Sequence, residues 1–170
     1  MPSRWTIYQC IVVLFLVILL FIVEMFKSYF SVSLSLNGTS TIIPLLLTFL
    51  FIIIVVGCSS LLMIFQTKKS TLFLTHRIWM KMYILTPLLL ILSITFFITA
   101  ALASINFQEF MQEQRWTLYV FICYFIFMMN LFVLSVIHKI KGKSISKEAK
   151  IKASYLWTSL ILFIIIFMLP

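Results

Sequence analysis

The chain has 170 residues, 64% of them hydrophobic and 10% charged, with a formal net charge of +9. Soluble domains carry about 25% charged residues, and a water-soluble fold of this length has too little interior to hide so much apolar side chain. A soluble domain is therefore excluded. Nucleic-acid binding is equally removed as the source of the basic balance, because nearly all the charge flanks apolar runs, where membrane orientation and anionic lipid headgroups account for it.

Several apolar runs reach the roughly 20 residues that cross a hydrocarbon core of about 30 Å. The expected fold is an all-α, polytopic transmembrane helical bundle, one membrane domain over residues 1–170. It has four spans of full length, Tyr8–Phe26, Ile42–Phe65, Tyr83–Ala103 and Leu118–Ile137, and a short fifth at the C-terminus, Tyr155–Leu169.

The first span follows Arg4, with Trp5 and Tyr8 as interfacial anchors. It is longer than the apolar stretch of a signal peptide and ends in Glu24-Met25-Phe26-Lys27 without a small-residue cleavage site, so a retained span is expected. Pro2 stands where myristoylation needs Gly. Glu24 is an acid inside a predicted span, and such a carboxylate raises the question of an ion site. Its place near the exterior end, three residues before Lys27, suits an i,i+3 ion pair at headgroup level.

The exterior segment Ser28–Thr41 alternates Ser with apolar residues and contains Asn37-Gly38-Thr39. Asn37 fits the N-glycosylation rule, which would make the chain a glycoprotein, although Asn-Gly also suits a plain turn. Pro44 opens the second span, where its missing N–H costs little. Gly57-Cys58-Ser59-Ser60 forms a small-residue patch within that span, matched at the far end of the third by Ala100, Ala103 and Ser104. Such patches mark faces where helices approach closely, within the chain or on a partner.

The connection Gln66–Met82 mixes Lys68, Lys69, Arg77 and Lys81 with Leu72, Phe73, Leu74, Ile78 and Trp79. It reads either as a helix lying along the interface with its apolar side down or as a simple basic loop. Thr86-Pro87 near the start of the third span should kink it, with Thr86 or a neighbouring helix covering the freed carbonyl. The next exterior turn holds Glu109 and Glu113, and Trp116 and Tyr119 mark the outer interface of the fourth span.

Asn130, in the middle of the fourth span, is the strongest buried polar signal, since its amide must find interhelical partners. Residues 138–152 form a polybasic cytoplasmic loop in which Lys139, Lys141, Lys143, Lys147, Lys150 and Lys152 face one acid, Glu148. These six lysines are the candidates for contact with anionic lipid headgroups. The fifteen residues of the last run reach only about 22 Å as a helix, so local bilayer thinning is expected around it.

Threaded through a bilayer, this order puts Arg4, Lys68, Lys69, Arg77, Lys81 and the six lysines of 138–152 on one face, against Lys27 and Arg115 on the other. The positive-inside rule makes the crowded face cytoplasmic, with the N-terminus inside and the C-terminus exterior or lumenal. Cys10, Cys58 and Cys123 all lie in spans and read as small buried hydrophobes. His76 and His138 have no acid at ligand spacing, so no metal or cofactor is expected. The chain has no Asp and only one inward-facing acid, Glu148, which leaves no general acid–base set.

These features point away from an enzyme and towards an accessory or scaffolding subunit acting through helix–helix contacts, with the lipid bilayer and a membrane-protein partner or a second copy as its company. A small channel or transporter subunit is the alternative, needing a path lined by Glu24, Ser59, Ser93, Thr95, Thr99 and Asn130. A lipid-modifying membrane enzyme fits least.

Overall fold

The computed structural model describes residues 3–25, 42–70, 72–103, 114–142 and 144–168, and its regular structure is helical throughout. Five helices follow one another: α1 (Arg4–Met25), α2 (Ile42–Lys69), α3 (Met82–Ala103), α4 (Arg115–Lys141) and α5 (Lys147–Met168), with a short 3₁₀ turn at Arg77–Met80 before α3. All five are long and apolar enough to cross a membrane, which makes this a multi-pass membrane protein. Only helices satisfy every backbone group within one segment, and an apolar chain of this kind has no water to fall back on.

The last helix is longer than the apolar run that marks the fifth span. It starts at Lys147, eight residues before the apolar run, and its 22 residues reach about 33 Å. Hydropathy registers only the apolar stretch, whereas the preceding Lys-Glu-Ala-Lys-Ile-Lys-Ala is made of good helix formers. Ser146 caps the start, its Oγ accepting from the Ala149 N–H at 3.3 Å, and Glu148 lies in the first turn, where a negative charge is favoured. The polybasic loop shrinks accordingly. α4 runs on through Lys141 and stops at Gly142, whose φ of +46° lies in the region glycine tolerates.

α2, α4 and α5 pack against one another and form the centre of the bundle. α1 lies against α2 and α4, while α3 touches only α4 and the 3₁₀ turn among the described elements. Among the described residues the interior holds two apolar clusters. Val23, Phe51, Ile52, Val55, Val56 and Ile126 join α1, α2 and α4. Met63, Leu74, Trp79, Leu134 and Ile151 close the other end.

That other end is where the basic residues gather. The Trp5 ring stacks on Phe65 with centroids 6.2 Å apart, and the Lys68 ammonium sits 5.2 Å from the centre of Trp5, which brings the start of α1 to the finish of α2. Lys68 also lies 3.6 Å from the Glu148 carboxylate at the start of α5. Lys139 near the end of α4 sits over the Tyr83 ring at the start of α3, 3.3 Å from its centre. Both members of the Lys68–Glu148 pair are well exposed, so the pair adds little stability. With the Trp5 and Lys139 contacts it shows that five helix ends share one face. Gln9 donates to Gln66 at 2.9 Å and fixes α1 against α2 just inside that face.

The connection before α3 is neither a flat interfacial helix nor a plain loop. Its apolar residues divide: Leu74 and Trp79 are buried in the end of the bundle, while Leu72, Ile78 and Met80 are exposed. Tight turns over 72–75 and the 3₁₀ turn make this division possible, and Leu74 takes a left-handed φ of 65° to point inward. In α3 the Thr86 hydroxyl donates to the Met82 carbonyl at 2.8 Å, a neighbour of the Tyr83 carbonyl that Pro87 leaves without its helical donor.

In the patch Gly57–Ser60, Ser60 meets Asn130 of α4 and Gly57 stands beside Tyr155 of α5. A Cβ built on Gly57 would stand 3.8 Å from the Tyr155 ring, an ordinary contact. The Gly57→Ala variant is therefore expected to be tolerated and to gain up to about 1 kcal/mol from helix propensity. Thermal unfolding in detergent checks this; a lowered midpoint would mean that α2 and α5 approach more tightly than the contact implies.

Candidate functional site

Two places concentrate polar side chains. The first is at the centre of the three-helix core. Asn130, wholly buried, donates through Nδ2 to Ser60 Oγ at 3.1 Å and accepts at Oδ1 from the Thr158 hydroxyl at 3.3 Å. One amide thus ties α4 to α2 and to α5. Three further hydroxyls of these helices are satisfied locally: Ser59 donates to Val55 O, Ser135 to Phe132 O and Ser154 to Ile151 O. Ser or Thr donation back along its own helix is the usual solution where no water is present. Thr158 carried no signal in the sequence, because it falls in a run read as a marginal span. Ser60 was visible only as a member of a small-residue patch.

The residues that a transport path would have needed are spread over different surfaces. Ser59 and Asn130 are buried within the core, while Thr95 and Thr99 are exposed on α3. Ser93 shares a 2.9 Å hydrogen bond with the Tyr124 hydroxyl across to α4. Together with Phe96 and Phe121 these α3 groups line a cleft of about 730 Å³ between α3 and α4. Glu24 is half-buried at the far end of α1, next to the core residue Val23. Its expected partner Lys27, the Asn37 acceptor, Glu109 and Glu113 lie outside the described residues, as does Lys143.

The second polar place is the basic end. Of the six lysines expected to meet headgroups, Lys139, Lys141 and Lys152 are exposed and Lys147 is half-buried. Lys150 is buried, with only 4% of its surface open. Its ammonium donates to the Gly142 carbonyl and lies 3.4 Å from His138 Nδ1. The helical register of α5 causes this, because Lys150, Ser154 and Thr158 recur every four residues on the face turned to α4. A loop would have left Lys150 in water. His76, by contrast, uses its Nδ1 to cap the 3₁₀ turn, accepting from the Ile78 N–H at 3.3 Å.

Among the described residues no three His, Cys, Asp or Glu side chains stand close enough to hold a metal ion. The three cysteines are free thiols, Cys58 buried, Cys123 half-buried and Cys10 exposed. No protein family model matches the chain, and no curated protein or solved structure is similar to it.

Proposed function

We propose that this chain is a non-catalytic accessory or scaffolding subunit of a membrane assembly, inserted with its basic end in the cytoplasm. The observation that carries the reading is the division of labour among the helices. Asn130, Ser60 and Thr158 use their buried polar groups to tie α4 to α2 and α5, while Ser59, Ser135 and Ser154 bond within their own helices. α1 and α3 each bury a single residue fully among those described, Val23 and Thr86, and leave most of their surface outward. α3 leans on α4 alone among the other long helices and leaves open a cleft edged by Ser93, Thr95, Thr99 and Tyr124. Lipid tails gain nothing from such hydroxyls, whereas a second transmembrane helix packs on them and can hydrogen-bond with them. The occupant this favours is a helix of a partner membrane protein, with a second copy of the chain as the simplest variant. The orientation rests on the gathering of basic residues at one end and the positive-inside rule.

The test is a photo-crosslinking amino acid at Phe96, in the cleft, compared with one at Leu156 on the outer face of α5, followed by purification in mild detergent. The expected result is one discrete crosslinked species from Phe96 and none from Leu156. A lone monomer from both positions, together with ion flux after reconstitution into liposomes, would discard the accessory reading in favour of transport. An epitope at the C-terminus that reacts only after permeabilisation would refute the proposed orientation.

A further inference from the structure

We infer that the basic end of the bundle holds a binding site for a phosphate monoester, of the kind carried by a phosphorylated inositol lipid headgroup. The inference does not depend on the accessory reading, since it concerns another surface. The site is a pocket of about 600 Å³ between the turns before α3 and the α4–α5 connection. Small-molecule sites occupy roughly 300–1,000 Å³, so a sugar-phosphate headgroup fits the space. Lys139, Lys147, Lys150, His76 and His138 all line it, with Ser146 beside them. No carboxylate lies among its described lining residues, and the nearby Glu148 is engaged by Lys68.

Lys139 and Lys150 bring two ammonium groups to a cavity with no carboxylate among its described lining residues, a setting that favours an anion. Lys150 is the group least able to escape, because it is held inside by Gly142 and His138 and has only 4% of its surface open. A buried cation needs counter-charge or good hydrogen-bond partners, and neither the Gly142 carbonyl nor the His138 ring supplies a negative charge. Lys139 is likewise fixed, seated over the Tyr83 ring at the pocket wall. Lys147 opens α5, so the positive end of that helix dipole adds to the field. A phosphate monoester presents close to two negative charges and several acceptor oxygens, matching this donor set. Basic pockets at the ends of transmembrane helices are where lipid headgroups are held. The six lysines are thus not equivalent: Lys139, Lys147 and Lys150 form a site, and Lys141 and Lys152 lie outside its wall.

The purified full chain in detergent, titrated with dioctanoyl phosphatidylinositol 4-phosphate, should show a rise in thermal midpoint. Dioctanoyl phosphatidylcholine should produce none. Inorganic phosphate producing the same rise at the same concentration would keep the site and move its ligand from lipid to soluble phosphate. The paired variant Lys139→Ala/Lys147→Ala should weaken binding at least tenfold, while Lys69→Ala/Lys152→Ala, with the same change of charge elsewhere on that end, should leave it within twofold. Equal loss from both pairs would replace the pocket with diffuse attraction and overturn the inference. Amine acetylation of the unmutated protein, read by mass spectrometry, gives a second measurement. Bound lipid should protect Lys139 and Lys147 and leave Lys69 and Lys152 reactive, and uniform reactivity would also overturn it.

Discussion

Replacing Asn130 with Leu should lower the unfolding free energy by roughly 2–4 kcal/mol, from lost interhelical bonds and an overfilled site. The two hydrogen bonds are not equal. The Ser60 bond at 3.1 Å is the better one, and the Thr158 bond at 3.3 Å is longer. Interhelical hydrogen bonds in membranes average about 0.6 kcal/mol by double-mutant cycles, so these bonds alone account for about 1 kcal/mol. The remainder comes from volume, because Leu is larger than Asn and position 130 has no exposed surface to expand into. Ser60 can recover part of its loss by turning back to its own helix, as Ser59 does with Val55. Thr158→Val, which keeps shape and removes only the weaker bond, is therefore expected to cost under about 1 kcal/mol. Steric-trapping or denaturant titration in bicelles measures both variants. If Asn130→Leu unfolds with the parent, the amide does not hold the three helices together, and a polar side chain at the bundle centre needs another cause.

The contrast between that residue and its partners shows what the sequence could convey. A lone amide in an apolar run announces itself, because burying it unbonded is costly. Ser60 and Thr158 do not, since a hydroxyl can always satisfy itself on its own helix, and nothing in the chain marks which ones reach across. The five helices were legible from hydropathy, and the true start of α5 was not. Lys147 to Ser154 is amphipathic, with Lys150, Ile151 and Ser154 buried and Lys152 exposed, and an apolar-run reading sees only charge there. The same blind spot hid the pocket. Charge counting placed Lys150 with its neighbours in a loop, whereas helical register turned it inward against Gly142 and His138. Which hydroxyls on α3 face the cleft depends on how α3 docks on α4, and neither helix has a polarity pattern strong enough to dictate that.

Trp79→Ala should destabilise the chain by about 3–5 kcal/mol, the usual cost of emptying a large aromatic site. Trp79 keeps 8% of its surface open, meets Phe73 edge-on with centroids 5.0 Å apart, and packs in the cluster of Met63, Leu74, Leu134 and Ile151. This end of the bundle faces water, so burial there is driven by the hydrophobic effect, unlike packing between helices within lipid. The same cluster holds Leu74 in a left-handed conformation, which costs a non-glycine residue roughly 1–2 kcal/mol. Removing the indole lets that turn relax and opens the wall between the core and the basic pocket, of which Leu74 is part. Ile78→Ala and Met80→Ala, at exposed positions on either side, should stay within about 0.5 kcal/mol of the parent. Trp79→Phe should recover part of the loss by refilling the site. Denaturant titration in detergent, with limited proteolysis of residues 70–81 as a local readout, distinguishes the cases. Two buried side chains plugging the bundle predict a cost confined to Trp79 and Leu74. A segment lying along the membrane predicts that Ile78 and Met80 matter as much, and equal losses at all four positions would establish that arrangement instead.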